Sequence, residues 1–456
     1  MPKPVTNHEL DALLADAGYS QTRGAFARQV NAHSRQARGI ELQYDSASVY
    51  WWLRGRTPDD PAPAVIAEVL SRRLKRTINP EDLGFRRGGA DLTRLGLAYD
   101  SSLEDSRTTV ADLWRYLLLR RDVLTAAPLV VGATMTAGWR WLFDPRDPDV
   151  SRTGGQRVSL GDVAALRASQ QQLLDLDRRH GGGHARALMV GWLHREVTPM
   201  LHGGYTDKVG RALHAAVAEL TGQVGFMSYD VGDHGVAQRY FIQALRMARA
   251  GDDTAYGSHI LANMATQAVF LRQPAEAVRL ARAAVEGARR AHPSVMARLY
   301  TAEACAHAIS RDEASCSTAL RNAERAMGKT TTDGPAWAGY FTPAHFAGTA
   351  MRCWRDLGRP DRALQHAADA MLVDEGGNRT RALHTALTAT VHATGPRPDV
   401  EQAAALGVEA LALSGEVRSR RVVERVDELA QLLRPHRRNQ AAARFLRQVE
   451  RTPLAA

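Results

Sequence analysis

Three cysteines in 456 residues, Cys305, Cys316 and Cys353, are too few to form a disulfide framework, so the fold depends on packing rather than covalent staples. They also lack the paired short spacings of a structural zinc site. Aromatic residues are scarce, at 6% of the chain, within a hydrophobic fraction of 45% dominated by alanine and leucine. That mixture suits helices packed closely on helices, and an all-α protein is the first expectation. Long apolar runs are missing too. The uncharged stretch 123–139, "VLTAAPLVVGATMTAGW", falls short of a membrane span and is diluted by Thr, Gly and Pro, which predicts a buried helix. The N-terminus lacks the form of a signal peptide, so a reducing cytoplasm is the expected compartment and no membrane partner is expected.

Signatures of catalysis are absent as well. The chain has no glycine-rich phosphate loop, no G-x-S-x-G elbow and no metalloprotease motif, and "GGADLTRLG" lacks the lysine that a phosphate loop needs. His180 and His184 in "HGGGH" stand in a glycine-rich loop without a nearby acidic or cysteine partner. Neither enzyme activity nor a metal or cofactor is therefore expected. Acidic residues are outnumbered, 49 against 59 Lys and Arg, for a formal charge of +10 that permits a polyanionic partner.

What is present begins with a small four-helix unit over residues 1–85. Asn7 caps a first helix bearing Leu10, Leu13, Leu14 and Ala17, and Gly18 stops it. A second helix covers 22–33 with Phe26, Ala27 and Val30 inward, and alternation at Ile40 and Leu42 suggests a brief extended connection. Asp45 caps a third helix that ends at Gly55, and the fourth is 62–74. In the third helix Val49, Trp52 and Leu53 share one face at i, i+3 and i+4, so Trp52 is the anchor and Trp51 faces outward. Ser46, Ser48, Tyr50 and Trp51 would then meet base edges, while Arg54, Arg56, Arg23, Arg28 and Gln43 are placed to meet phosphates. The basic cluster "SRRLKR" at 71–76 reads as a charged helix end.

Residues 86–109 read as a partly ordered linker, and 110–203 as a middle helical region. From 204 to 456 the chain repeats. Turns at Gly232, Arg272, Arg311, Gly358 and Gly395 follow one another by 40, 39, 47 and 37 residues, with alanine-rich helices after them. Helix pairs of this kind cannot bury their faces alone and must stack into a solenoid. In the first helix of each pair, polar residues recur at i, i+4: Tyr256, His259, Asn263 and Gln267; Glu303 and His307; His345, Thr349 and Arg352; His384, Thr388 and His392. If these stripes line the concave side, they would hold an extended peptide or a small polar ligand. The closing stretch, with Phe445, Leu446 and Val449, predicts a capping helix.

"GAFARQV", "VYWWLRGRTP" and "PAVIAEVL" resemble the Xre-type helix-turn-helix of repressor DNA-binding domains. With "LTGQVGFMSYDVGDHGVAQRYFIQALRMARAGDD" and "ANMATQAVFLRQPAEAVRLARAA", the chain is similar over most of its length to actinobacterial Xre-family regulators with tetratricopeptide-like C-terminal repeats. The resemblance implies a DNA-binding repressor of development or secondary metabolism, a homodimer on double-stranded DNA, governed by an effector, and it makes Asn263 the best candidate to clamp a peptide backbone. Two features depart from it: the connection between helices two and three is long, and Trp51 stands where a small or basic base-reading side chain is expected. The alternative is an interaction scaffold of helical repeats without sequence-specific DNA binding.

Overall fold

A computed structural model describes residues 5, 7–58, 61–85, 94–119, 128–374, 377–415 and 417–452. The described residues are overwhelmingly helical, and their extended pairings are two isolated bridges, Arg152 with Tyr205 and Arg157 with Gly204. The protein is all-α. It divides into two compact units, Met1–Leu92 and Thr93–Ala456.

The first unit holds α1 (His8–Asp16), α2 (Arg23–Arg38), α3 (Ser46–Trp52), α4 (Ala62–Leu74) and a 3-10 turn at Pro80–Leu83. Leu10, Leu14, Phe26, Val30, Val49, Trp52, Leu53, Ile66 and Leu70 make its core. Asn7 caps α1 by accepting from the Leu10 N–H, and its amide also donates to the Leu83 carbonyl at 3.0 Å, tying the two ends of the unit together. α2 runs five residues past the predicted end at His33. Nothing in "SRQAR" breaks a helix, and the stop is Gly39, whose φ of 67° supplies the left-handed cap. The connection 39–45 forms no strand. Instead the Asn31 amide brackets Tyr44, donating to its carbonyl at 2.8 Å and accepting from its N–H at 3.0 Å, so this long connection is held in place. "SRRLKR" turns partly inward: Arg73 donates to the Ala17 carbonyl at the end of α1, and Arg76 meets Asp16 at 3.5 Å.

The second unit begins with α5 (Leu103–Leu119), α6 (Ala133–Phe143), α7 (Leu160–His180) and α8 (Gly182–Trp192), the last continuing through a π-helical turn (Leu193–Val197) into α9 (Thr198–Leu201). The repeats follow as pairs: α10 (Asp207–Asp230) with α11 (His234–Ala250), α12 (Thr254–Phe270) with α13 (Pro274–Gly287), and α14 (Pro293–Ile309) with α15 (Glu313–Met327). Next, α16 (Pro343–Asp356) pairs with the short α17 (Pro360–Leu364) and α18 (Ala367–Ala370), and α19 (Asn378–His392) with α20 (Val400–Ser414). α21 (Arg420–Leu433) and α22 (Gln440–Arg451) end the array. Each turn read from the sequence joins the two helices of one pair. Phe445 of α22 is buried, with Leu446 and Val449 packed against the terminal core.

Three expectations change here. Within 86–109, residues 86–93 lie outside the described residues, and the remainder is no linker. Leu95, Tyr99 and Leu103 pack into the repeat core, and the Gln243 amide donates to the Gly96 and Ala98 carbonyls, because a buried amide on α11 must find acceptors. The middle region is likewise no separate body: Trp114, Trp141, Val190 and Leu193 share one core with α10 and α11. Finally, of the run 123–139, residues 123–127 lie outside the described residues. The rest is a loop and then α6, which begins behind the left-handed Gly132 and leaves Trp139 exposed while Trp141 is buried.

The repeats also close on themselves. α7 crosses from α10 to α19. The Arg418 N–H donates to the His180 carbonyl at 3.0 Å, and the Gly183 N–H donates back to the Arg418 carbonyl. The glycines of "HGGGH" therefore serve close approach rather than slack: a Cβ on Gly182 would lie 2.7 Å from the Met227 carbonyl oxygen. Beneath this seam Asp177 and Asp230 are buried against Arg379, at 2.9 and 3.5 Å, while Arg421 and the Ser419 hydroxyl reach Asp230 at 3.2 and 2.9 Å. Burial works against the Arg379 cation, but the two aspartates outweigh it and raise its pKa.

Candidate functional sites: a helix face and a helix-lined lumen

In the first unit, α3 is held from below and presented above. The Asp45 carboxylate accepts from the Ser48 N–H and hydroxyl, both at 2.8 Å, and those bonds lower its pKa. Val49, Trp52 and Leu53 are buried, and Trp52 makes an edge contact with Tyr44. Ser46, Ala47, Trp51 and Arg56 are exposed, as are Arg28 and Gln43; Ser48, Tyr50, Arg54 and Arg23 are half-buried. Gly24 of α2 sits between the Arg28 guanidinium and Ser46, which brings Arg28 beside the start of α3. At the other end the Arg54 guanidinium stacks on the Tyr50 ring at 3.5 Å, and Tyr50 meets Trp51 edge-on. Two of the predicted roles shift. The Ser48 hydroxyl hydrogen is spent on Asp45, and Arg54 is a partner of Tyr50, whose carbonyl it also meets at 3.2 Å.

In the second unit the first helices of the pairs, together with α7 and the 336–342 segment, line a lumen of about 650 Å³. Tyr256, His259, Asn263, His345, Arg352 and His384 all line it, as their stripe predicted. Glu303 does not. The lining residues of α14 are Arg298, Thr301, Ala302 and Cys305, and position 303 lies well round the helix from that face, 3.9 Å from His307. Gln267 is also withdrawn, donating to the His234 carbonyl at 2.9 Å. Asn263 is occupied within the wall: its carbonyl oxygen accepts from Arg298 at 3.1 Å, and its amide nitrogen stands 3.1 Å from His259 Nε2. Its amide is a spacer between two other side chains rather than an open peptide clamp.

The imidazoles of the lumen are neutral. Burial, then the Arg298 charge, pushes His259 down to about 3, and burial, then His384, does the same to His345. Glu219 moves the other way, up to about 7, because burial outweighs Arg167 3.0 Å from it. An aromatic wall stands over His259: Trp337 at 4.9 Å, Tyr256 at 5.5 Å and Tyr340 at 6.2 Å between ring centroids.

Arg298 was legible and overlooked. Stepping back by the 47 residues that separate the turns at Arg311 and Gly358 carries His345 to Arg298 and Arg352 to Cys305, both in the wall. Trp337 and Tyr340 carry no such signal, because they sit in the non-repeating segment before α16. Among the described residues, no three His, Cys, Asp or Glu side chains are grouped to hold a metal ion, and no helix is long and apolar enough to cross a membrane.

Residues 10–86 match the family model described as the SP15 N-terminal domain, a stretch that falls inside the first unit. No curated protein and no solved structure matches the chain.

Proposed function

We propose that the chain is a cytoplasmic DNA-binding transcriptional regulator, a repressor acting as a homodimer, whose repeat unit senses an effector. The observation that carries this reading is the division of labour on α3: Val49, Trp52 and Leu53 anchor it, while Ser46, Ala47 and Trp51 face outward between Arg28 and Arg56. A short capped helix seated on a second helix, with arginines at its flanks, suits entry into a major groove with phosphate contacts on either side. Because such a unit reads only a few base pairs, a dimer would gain specificity from two half-sites. The net charge of +10 favours the same partner.

The test is selection from random duplex oligonucleotides by the full-length protein. A single enriched sequence, bound with log affinity falling steeply against log salt, supports the reading; no enrichment together with a flat salt response removes it. One observation favours a second reading, an interaction scaffold: Val131, Trp139 and Phe143 are strongly exposed on the repeat unit, the last two in ring contact. Recovery of one stoichiometric protein partner without any enriched DNA would select it.

A further inference from the structure

We infer that the lumen of the second unit is a binding site for a small organic anion, a carboxylate or phosphate on a planar apolar body, gripped between Arg298 and Arg352. The inference deepens the effector-sensing reading and shares with it only the premise that the lumen takes a ligand.

The two arginines stand on neighbouring first helices, α14 and α16, and both line the lumen. Arg298 is fixed by neutral groups alone: Nε donates to the Tyr340 hydroxyl at 3.0 Å, and Nη2 to Asn263 Oδ1 and Thr266 Oγ1 at 3.1 and 3.2 Å. Among the described residues no carboxylate lies within ion-pair distance of it, and its Nη1 has no hydrogen-bond partner. Three donors thus orient the guanidinium and two are left over. Arg352 makes no hydrogen bond to any described residue, and its Nε is buried without a partner. The carboxylate near it, Asp356 at 3.8 Å, is already held by Arg355 at 2.6 Å. Arg298 has no carboxylate within reach and Arg352 shares Asp356 with Arg355 and Arg272, so guanidinium groups outnumber carboxylates on this side of the lumen, and a bound anion is the group that would meet that surplus. The same surplus is felt next door, where burial and then Arg355 push Arg425 down to about 9.

A third donor belongs to the same set. Since Arg298 donates to Asn263 Oδ1, the Asn263 amide must donate to His259 Nε2, which places the proton of this neutral ring on Nδ1. That Nδ1–H is buried and has no acceptor. The rings of Trp337, Tyr256 and Tyr340 beside it supply a surface for a planar body, and the lumen's volume is that of an ordinary small-molecule pocket.

The experiment is calorimetric titration of the full-length protein, without DNA, with indole-3-acetate, its neutral analogue indole-3-acetamide, phenyl phosphate, and the tripeptide Gly-Gly-Trp with a free C-terminus. The expected result is that at least one anion binds about tenfold or more tightly than the neutral amide, and that Arg298→Gln and Arg352→Gln each weaken it by a similar factor. Preference for indole-3-acetate, phenyl phosphate or the tripeptide assigns the anion to a free acid, a phosphate ester or a peptide terminus. The acid and amide comparison needs no variant, and circular dichroism checks that both variants fold. Equal binding of acid and amide, anion binding unchanged in both variants, or no anion binding at millimolar concentration overturns the inference. Because DNA is absent, failure here leaves the operator selection untouched, and a failed selection leaves these affinities standing.

Discussion

The two units place their candidate residues in opposite ways. The first shows them to solvent on a seven-residue helix, with a hydrophobic anchor directly beneath. The second sets them inside a wall of helices, with a cluster of two aspartates and two arginines at its seam. An exposed face can meet a partner far larger than itself, such as a duplex. A lumen between helices admits only what fits, and burial makes each charge in its wall count for more than it would at a surface. On the proposed reading, recognition in the first unit would be governed by surface charge and salt, and in the second by shape and a small number of fixed donors.

The sharpest way to break this comparison is to remove an anchor rather than a contact. Trp52→Ala should cost about 3–5 kcal/mol, enough to unfold the first unit, whereas Trp51→Ala should change stability by about 0.5 kcal/mol or less. A thermal melt followed by tryptophan fluorescence and calorimetry should show the first unit's transition lost in one variant and kept in the other, with the second unit's transition unmoved. Similar loss from both substitutions would mean that α3 is not a one-sided helix.

The next largest effect belongs to the seam. Arg379→Ala leaves Asp177 and Asp230 buried without their shared cation and should destabilise the second unit by about 3–5 kcal/mol. Denaturant unfolding should show the second unit's midpoint falling while the first unit's stays in place.

A pH series sharpens the contrast further. Glu219 rises from 4.5 to about 7 on folding, so the folded state keeps a proton that the unfolded state has lost between those values. Stability therefore falls as pH rises through that window, by about 3 kcal/mol in total. In Glu219→Gln this decline should vanish, so the variant gains on the parent protein as pH climbs from 4.5 to 7. His259 and His345 act oppositely, since their pKa values are depressed and their contribution is lost as pH falls below 6.5. A stability difference between variant and parent that does not grow with pH would show that Glu219 is not desolvated.

The smallest effect tests the exposed face. Arg56→Ala should weaken binding to every duplex alike, by about tenfold at most, and reduce the salt slope by about one. Arg56 is a cleaner probe than Arg54, whose loss would also release the Tyr50 ring. A change in which sequence is preferred, at constant salt slope, would instead give Arg56 a base-reading role.

Much of the first unit was legible because its rules are local. Asn7 and Asp45 cap, Gly18 and Gly39 stop, and Val49, Trp52 and Leu53 fall on one side at helical spacing. The end of α2 was placed short, at about His33, although Gly39 carried the stop signal and is where the helix ends. The repeats were legible from their turns, and with them most of the lumen stripe. Gln267, Glu303, His307, Thr388 and His392 were misplaced because i, i+4 spacing identifies a face of a helix but not which neighbour that face meets.

The sequence alone determined that the chain is helical, where each pair of repeat helices turns, and which tryptophan of Trp51 and Trp52 is the anchor, since caps, glycines and a 3.6-residue period act over a few residues. Only the tertiary structure decided that residues 94–119 and 128–203 belong to the repeat unit, that α7 and the Asp177, Asp230, Arg379 and Arg421 cluster tie its ends, and that Arg298 faces the lumen with no carboxylate among the described residues in ion-pair reach. Those outcomes depend on contacts between groups up to some two hundred positions apart, whose formation rests on how the helix pairs curve as they stack, and curvature accumulates from small packing angles that no short stretch of residues encodes.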